Sequence, residues 1–377
     1  MASSSVKDPN LKNLLSAGQS IWYDNLSRSV LQSGELESLV SKGVRGLTSN
    51  PTIFKKAIAD SSDYDTDIKK LSSKGLSAEE ICEDLMVSDV QAAADLLLEV
   101  FRSSEGNDGF ASLEVSPSLA TDSKGTVEAA KRLWSKLDRP NVMIKIPATE
   151  ECISAIEKCL ELGININVTL IFSTKYYHKV ANAYVSALKT RVGRSEPVNS
   201  VRSVASFFVS RVDTAVEKAL EKVSKESEIS ADVSQRLFGT VGIANSISAY
   251  QMFQDIFTSK DFDDLRTKGA VVQRPLWAST GVKSDKLPPL LYVEKLVAPD
   301  TVNTLPPNTL ELVLKGLEVQ SLLDRPITAE LEPLELLADA RVNLENELDH
   351  LRIMGIDAFS QSYQELLTAI EDKINKL

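Results

Sequence analysis

The chain has 377 residues, 43% of them hydrophobic and 25% charged, the profile of a globular protein with a full-sized core. Its formal net charge of −11 argues against a nucleic-acid surface or a basic membrane patch, but leaves room for an anionic substrate held by a few local cations. Cys82, Cys152 and Cys159 form no C-x-x-C, and the two histidines form no H-x-x-x-H. We therefore expect reduced, buried thiols and no metal site. No apolar run is long enough for a membrane span. The opening MASSSVKDPN is short and polar, without a secretory core; MASSS reads equally as the end of a Ser-rich transit peptide or as an added tag.

Short apolar runs then alternate with longer helical patterns. SIWYD (20–24) precedes a helical stretch that stops at Gly43, and VRGLTSNPTIF (44–54) follows. A helical section covers roughly 63–105, with Ser77 and Glu80 spaced as a capping box. ASLEVSP (111–117), NVMIKIPAT (141–149), INVTLIFS (166–173) and SVRSVASFFVSR (200–211) are each separated from the next by a helix. AVVQRPLWAST (270–280) and YVEKLVAP (292–299) complete the strands, and the sequence from 308 onward is helical.

Eight strands separated by helices predict a parallel sheet closed into an α/β (β/α)8 TIM barrel. An open doubly wound sheet would want a Gly-rich phosphate turn after its first strand, where NLSRSV stands instead. No linker or longer repeat interrupts the pattern. One domain over 1–377 is expected, with additional C-terminal helices over about 308–377 packing across one end of the barrel.

In such a barrel the inward residues at the C-terminal strand ends build the active site. The alternation places Trp22 with Asp24, Thr48 with Asn50, Ser112 with Glu114, and Met143 with Lys145 on single faces. Strand five alternates Ile164, Ile166, Val168 and Leu170 against Asn165, Asn167, Thr169 and Ile171. Ser206 and Arg211 end the sixth strand; Trp277 and Ser279 share a face of the seventh, with Lys283 in its loop.

Taken singly, most of these have ordinary explanations. A lysine at a strand end snorkels to solvent, a lone carboxylate caps a helix, and loop serines are loop polars. The tryptophans and the helical pair Cys152 and Cys159 read as core. Together they make a set. Burial disfavours charged amines, and a free amine attacks carbonyls to form a Schiff base. Lys145 is then a nucleophile beside two carboxylates, Asp24 and Glu114, able to trade protons. Asn167 and Thr169 are suited to hold a water. Ser206, Arg211, Ser279 and Lys283 supply the donors and charge of a phosphate site.

GLTSNPTIF (46–54), ASLEVSP (111–117), MIKIPAT (143–149), INVTLIFS (166–173), SVASFFVSRVD (203–213) and RPLWASTGVK (274–283) occur in one order along most of the chain. In these stretches the chain resembles the transaldolases, in the long form of plants and many bacteria, within the class I Schiff-base aldolase superfamily. The resemblance implies a barrel without metal or organic cofactor that moves a three-carbon dihydroxyacetone unit between sugar phosphates in the non-oxidative pentose phosphate pathway. It implies Lys145 as the Schiff-base lysine and Asp24 as the acid/base at the C4 hydroxyl. Glu114 acts through a water that Thr169 holds. Asn50 and Asn167 touch substrate hydroxyls, and Ser206 and Arg211 bind phosphate. Shorter family members carry an arginine just after the Ala-Ser of strand seven, where this chain has Thr280; Lys283 offers a replacement charge. Sugar phosphates are the expected partners, with no nucleic acid and no membrane. The chain is expected as a monomer or homodimer in the plastid stroma or the cytoplasm. The rival readings are an aldolase that cleaves fructose 6-phosphate outright, and an inactive sugar-phosphate-binding barrel.

Overall fold

The computed structural model describes residues 6–226 and 229–376; MASSS lies outside them. Eight parallel strands close on themselves in chain order, with β8 paired to β1. They are β1 (Gln19–Tyr23), β2 (Gly46–Leu47), β3 (Phe110–Glu114), β4 (Val142–Pro147), β5 (Ile166–Ile171), β6 (Ser203–Phe208), β7 (Arg274–Ala278) and β8 (Thr301–Leu305). Helices surround the barrel. No helix among the described residues is long and apolar enough to cross a membrane.

The eighth strand is not YVEKLVAP. Leu291–Lys295 is helical, and TVNTL at 301–305 completes the barrel. Tyr292, Val293, Leu296 and Val297 are all buried in the outer core, a spacing of one helical turn rather than of alternate residues. A left-handed Asp300 (φ 55°) turns the chain into β8. The second strand is also shorter than its sequence stretch. Asn50 caps a helix, Pro51–Ala59, accepting from Ile53 N at 3.0 Å, so PTIF leaves the barrel as helix. The capping box forms as expected at Ser77 and Glu80.

Two cores result. Outward strand residues such as Ile144, Ile146 and Trp277 meet the helices, and Trp277 Nε1 donates to Leu296 O at 3.0 Å. Inward residues Trp22, Phe110, Met143, Val204, Leu276 and Val302 fill the barrel itself. Beneath them, at the N-terminal strand ends, buried Asp108 accepts from Ser20 Oγ (2.6 Å), Trp22 Nε1 (3.1 Å) and Arg274 Nη1 (3.1 Å). Arg45 stands 3.5 Å away.

The helix Leu344–Lys376 lies across the opposite end. Thr52 donates to Ser362 at 2.9 Å, Lys55 pairs with Glu365, and Lys373 reaches Ser61 O at 2.7 Å and Asp65 at 2.5 Å. It packs tightly at Gly355, where a Cβ would stand 3.0 Å from Leu170 Cδ2. Leu170 points there because β5 bulges. The β5–β6 register shifts between Val168 and Ile171, and Leu170 has φ 57°. Leu170 and Ile171 thereby exchange the faces that plain alternation gives them.

Candidate active site

Above the apolar filling, side chains from seven strands or their loops converge on one cavity of about 600 Å³. Asp24, Asn50, Lys145, Thr169, Ser206, Arg211, Ser279 and Lys283 all line it, although the first and last lie 259 positions apart in the sequence. Parallel pairing sets the neighbours: Glu114 lies beside Lys145, Lys145 beside Asn167, and Pro147 beside Thr169.

Lys145 is only 5% exposed. Its Nζ donates to Ser49 O at 3.2 Å and lies 3.4 Å from Glu114 Oε2. Phe359 of the C-terminal helix sets its ring 5.7 Å from the same nitrogen. Two buried oxygens here have no hydrogen-bond partner: Glu114 Oε2, which has only the ion pair, and Thr169 Oγ1. Buried polar atoms are rarely left so, and such orphans suit a water or a ligand.

Asp24, half-buried, accepts from Thr48 Oγ1 at 2.7 Å, and Thr48 in turn meets Thr304 at 2.7 Å. Burial pushes its carboxyl above the usual value, against the pull of Lys145, the Thr48 hydroxyl and Arg211. Burial likewise raises Glu114; Lys145 opposes that shift and the charge of Asp24 adds to it. The two carboxyls are therefore both raised by burial beside the Lys145 amine, and the charge of Asp24 adds to the shift at Glu114.

Asn167 is fully buried and stands off the cavity surface. It donates to Ser112 Oγ at 3.1 Å and accepts from Ser206 Oγ at 2.7 Å, tying β3 to β6 beneath the lysine. The Ser206 hydroxyl proton is thus directed at Asn167. Arg211 opens the helix Ser210–Glu226, with its guanidinium 5.4 Å from the Phe208 ring. Gly242 N (2.9 Å) and Tyr292 Oη (2.7 Å) hold Asp213 of the same first turn; burial lifts that carboxyl to about 6. Trp277 and Ser279 do not share a face. Trp277 points outward, while Ser279 reaches the cavity through a left-handed backbone (φ 56°), its hydroxyl 3.0 Å from Ser210 Oγ. Lys283 is exposed at the rim, as is Lys56, a cavity residue the strand pattern did not suggest. Phe359 was also missed. The one cue was Gly355 within its helix, since an isolated helical glycine often marks close packing.

The profile of the Transaldolase/Fructose-6-phosphate aldolase family matches residues 21–370. Among curated relatives, "Transaldolase" of Trichodesmium erythraeum is 39% identical over 98% of both chains. "Transaldolase 2" of Nostoc punctiforme is 40% identical over 96% of both. "Transaldolase" of Thermobifida fusca is 41% identical over 97% of this chain and 98% of its own. A barrel with a lysine and two carboxylates at its C-terminal end is an enzyme scaffold, and this chain belongs to the transaldolase/fructose-6-phosphate aldolase family. Its function is that of a transaldolase, a transferase acting on sugar phosphates.

Proposed function

We propose that Lys145 carries a dihydroxyacetone unit as a Schiff base between sedoheptulose 7-phosphate or fructose 6-phosphate and the aldoses glyceraldehyde 3-phosphate and erythrose 4-phosphate. The observation that carries this reading is the enclosed Lys145 amine, open to a cavity that also presents Asp24 and Arg211. The amine attacks the ketose carbonyl, and loss of water gives a protonated imine, an electron sink. Asp24 takes the C4 hydroxyl proton as the C3–C4 bond breaks, and the aldose phosphate departs. A base whose proton affinity is raised by burial suits that step. The three-carbon unit remains as an enamine until the acceptor aldehyde arrives and the steps reverse.

Glu114 and Thr169, with their unpartnered oxygens, hold the water that enters and leaves the imine. Asn50 has its carbonyl committed to the helix cap, which leaves its amide for a substrate hydroxyl. Asn167 supports this layer from below. Arg211 grips the phosphate with the first turn of its helix, where backbone N–H groups favour an anion; Ser206, Ser279 and Lys283 flank it. Phe208 and Phe359 keep water from protonating the enamine. The bacterial relatives favour the cytoplasm as the setting.

The test is to mix the protein with fructose 6-phosphate, reduce with borohydride and map the adduct by peptide mass spectrometry. A three-carbon addition on Lys145 is expected. An unmodified Lys145 with the adduct absent or elsewhere overturns the assignment.

A further inference from the structure

Glu114 does not line the main cavity. It lines a second, smaller chamber of about 120 Å³ beside it, between β3, the helices Ala78–Ser103 and Ser123–Leu137, and the C-terminal helix. Asn50 belongs to both spaces, and Glu114 Oε2 of the chamber lies 3.4 Å from Lys145 Nζ of the main cavity. The inner end of the chamber is the 9%-exposed Glu114, whose Oε2 lacks a hydrogen-bond partner. Its outer end is formed by Glu79, Ser118 and Arg132, all exposed, with Arg132 paired to Glu83. Tyr363, one turn beyond Phe359, forms part of the wall. One water needs only about 10–15 Å³ of space open to its centre, so the chamber has room for several.

The reaction assigned above makes and consumes water. Condensation forms a C=N bond between Lys145 and the ketose; counted from the lysine ammonium, two of its protons leave with the carbonyl oxygen as one water and the third stays on the protonated imine. Hydrolysis of the product imine takes one water back. During these steps the sugar phosphate occupies the main cavity and Phe359 roofs the lysine, so that route is obstructed by the substrate itself.

We propose that the chamber behind Glu114 is the water passage of the active site, separate from the mouth that admits the sugar. Glu114 sits at the junction and hands water between chamber and imine. The arrangement delivers water to the lysine side of the substrate while the carbanion face stays dry. This inference rests on the Schiff-base reading, and its test separates the two.

The experiment follows ¹⁸O from solvent water into the C2 carbonyl of fructose 6-phosphate, without acceptor, by mass spectrometry. Borohydride trapping at equilibrium is measured in parallel, because the trapped fraction does not depend on the route water takes. Ala129→Leu adds bulk to the chamber wall, away from Lys145 and the sugar. It is expected to slow exchange about tenfold with the trapped fraction unchanged. Leu133→Phe narrows the same wall from the same helix and replaces it if the first variant does not fold. Met86→Ala widens the chamber and is expected to speed exchange. Folded, normally trapping variants that all exchange at the wild-type rate overturn the passage. A wild-type protein that traps no adduct overturns the Schiff-base reading, and the passage with it.

Discussion

The barrel buries charge at both ends, and the two ends handle it differently. At the N-terminal end, Asp108 collects Ser20, Trp22 and Arg274, with Arg45 close by, so both of its oxygens are occupied. At the C-terminal end, Glu114 has one ion pair at 3.4 Å and an oxygen without a hydrogen bond, and Thr169 has no partner. A buried charge surrounded by donors resists change. A buried charge left partly unmet is costly at rest and responds to an arriving ligand. With respect to these two carboxylates the barrel has a fastened end and a reactive end, although Arg45 Nε, Gln19 Oε1, Asn141 Oδ1 and Gln273 Oε1 at the N-terminal end also lack hydrogen-bond partners.

The largest effect that would break this contrast is at Lys145. Lys145→Ala should abolish borohydride trapping and lower transfer by at least about 10⁴-fold while circular dichroism stays native. A variant that keeps substantial transfer would make the reactive end merely polar. Asp24→Asn should lower transfer by about 10²–10⁴-fold. It should also raise the melting temperature at neutral pH. The Asp24 carboxyl is raised in the folded state, so just above the unfolded value, near 4, the native protein holds a proton that the unfolded chain has lost. Stability then falls as pH rises through that window, and removing the carboxyl should flatten the curve. Unchanged steepness in melting curves across pH 4 to 8 would count against a strained Asp24.

Asp108→Ala tests the fastened end. It strands Arg274 and Arg45 in the interior and should cost about 3–5 kcal/mol in denaturant unfolding, with transfer per folded molecule intact. A loss of turnover without loss of stability would erase the distinction. The smallest effects belong to the cavity rim proposed to hold the phosphate. Arg211→Ala should raise KM for the ketose phosphate about 10–100-fold, as expected for losing charge-assisted hydrogen bonds. Lys283→Ala, at an exposed position, should raise it only about 2–5-fold. Steady-state kinetics on both variants sharpens which cation holds the phosphate.

Much of the reactive end is legible in the sequence because strand alternation is local. Lys145, Glu114 and Asp24 fall on inward faces by counting residues, and so do Asn167 and Thr169. Counting fails where the backbone leaves the regular strand. The bulge at Leu170 and the left-handed Ser279 each reverse a face, and neither carries a glycine to announce it. The eighth strand was misplaced because TVNTL, rich in Thr and Asn, has a weaker apolar signature than the buried helical segment before it. Phe359 and Tyr363 were beyond reach for a different reason. Their helix reads as an ordinary amphipathic one, and its place over the barrel depends on distant contacts such as Gly355 against Leu170.

That crossing also has a consequence for biosynthesis. A ribosome releases residues in chain order, so all eight strands emerge before the helix that carries Phe359. Until that helix is made and docks, Lys145 has no Phe359 ring above it. Reactive sugars and aldehydes in the cell would meet an amine that no aromatic ring yet shields. A chain ended after β8 would lack that ring, together with Tyr363 and the helix that carries both.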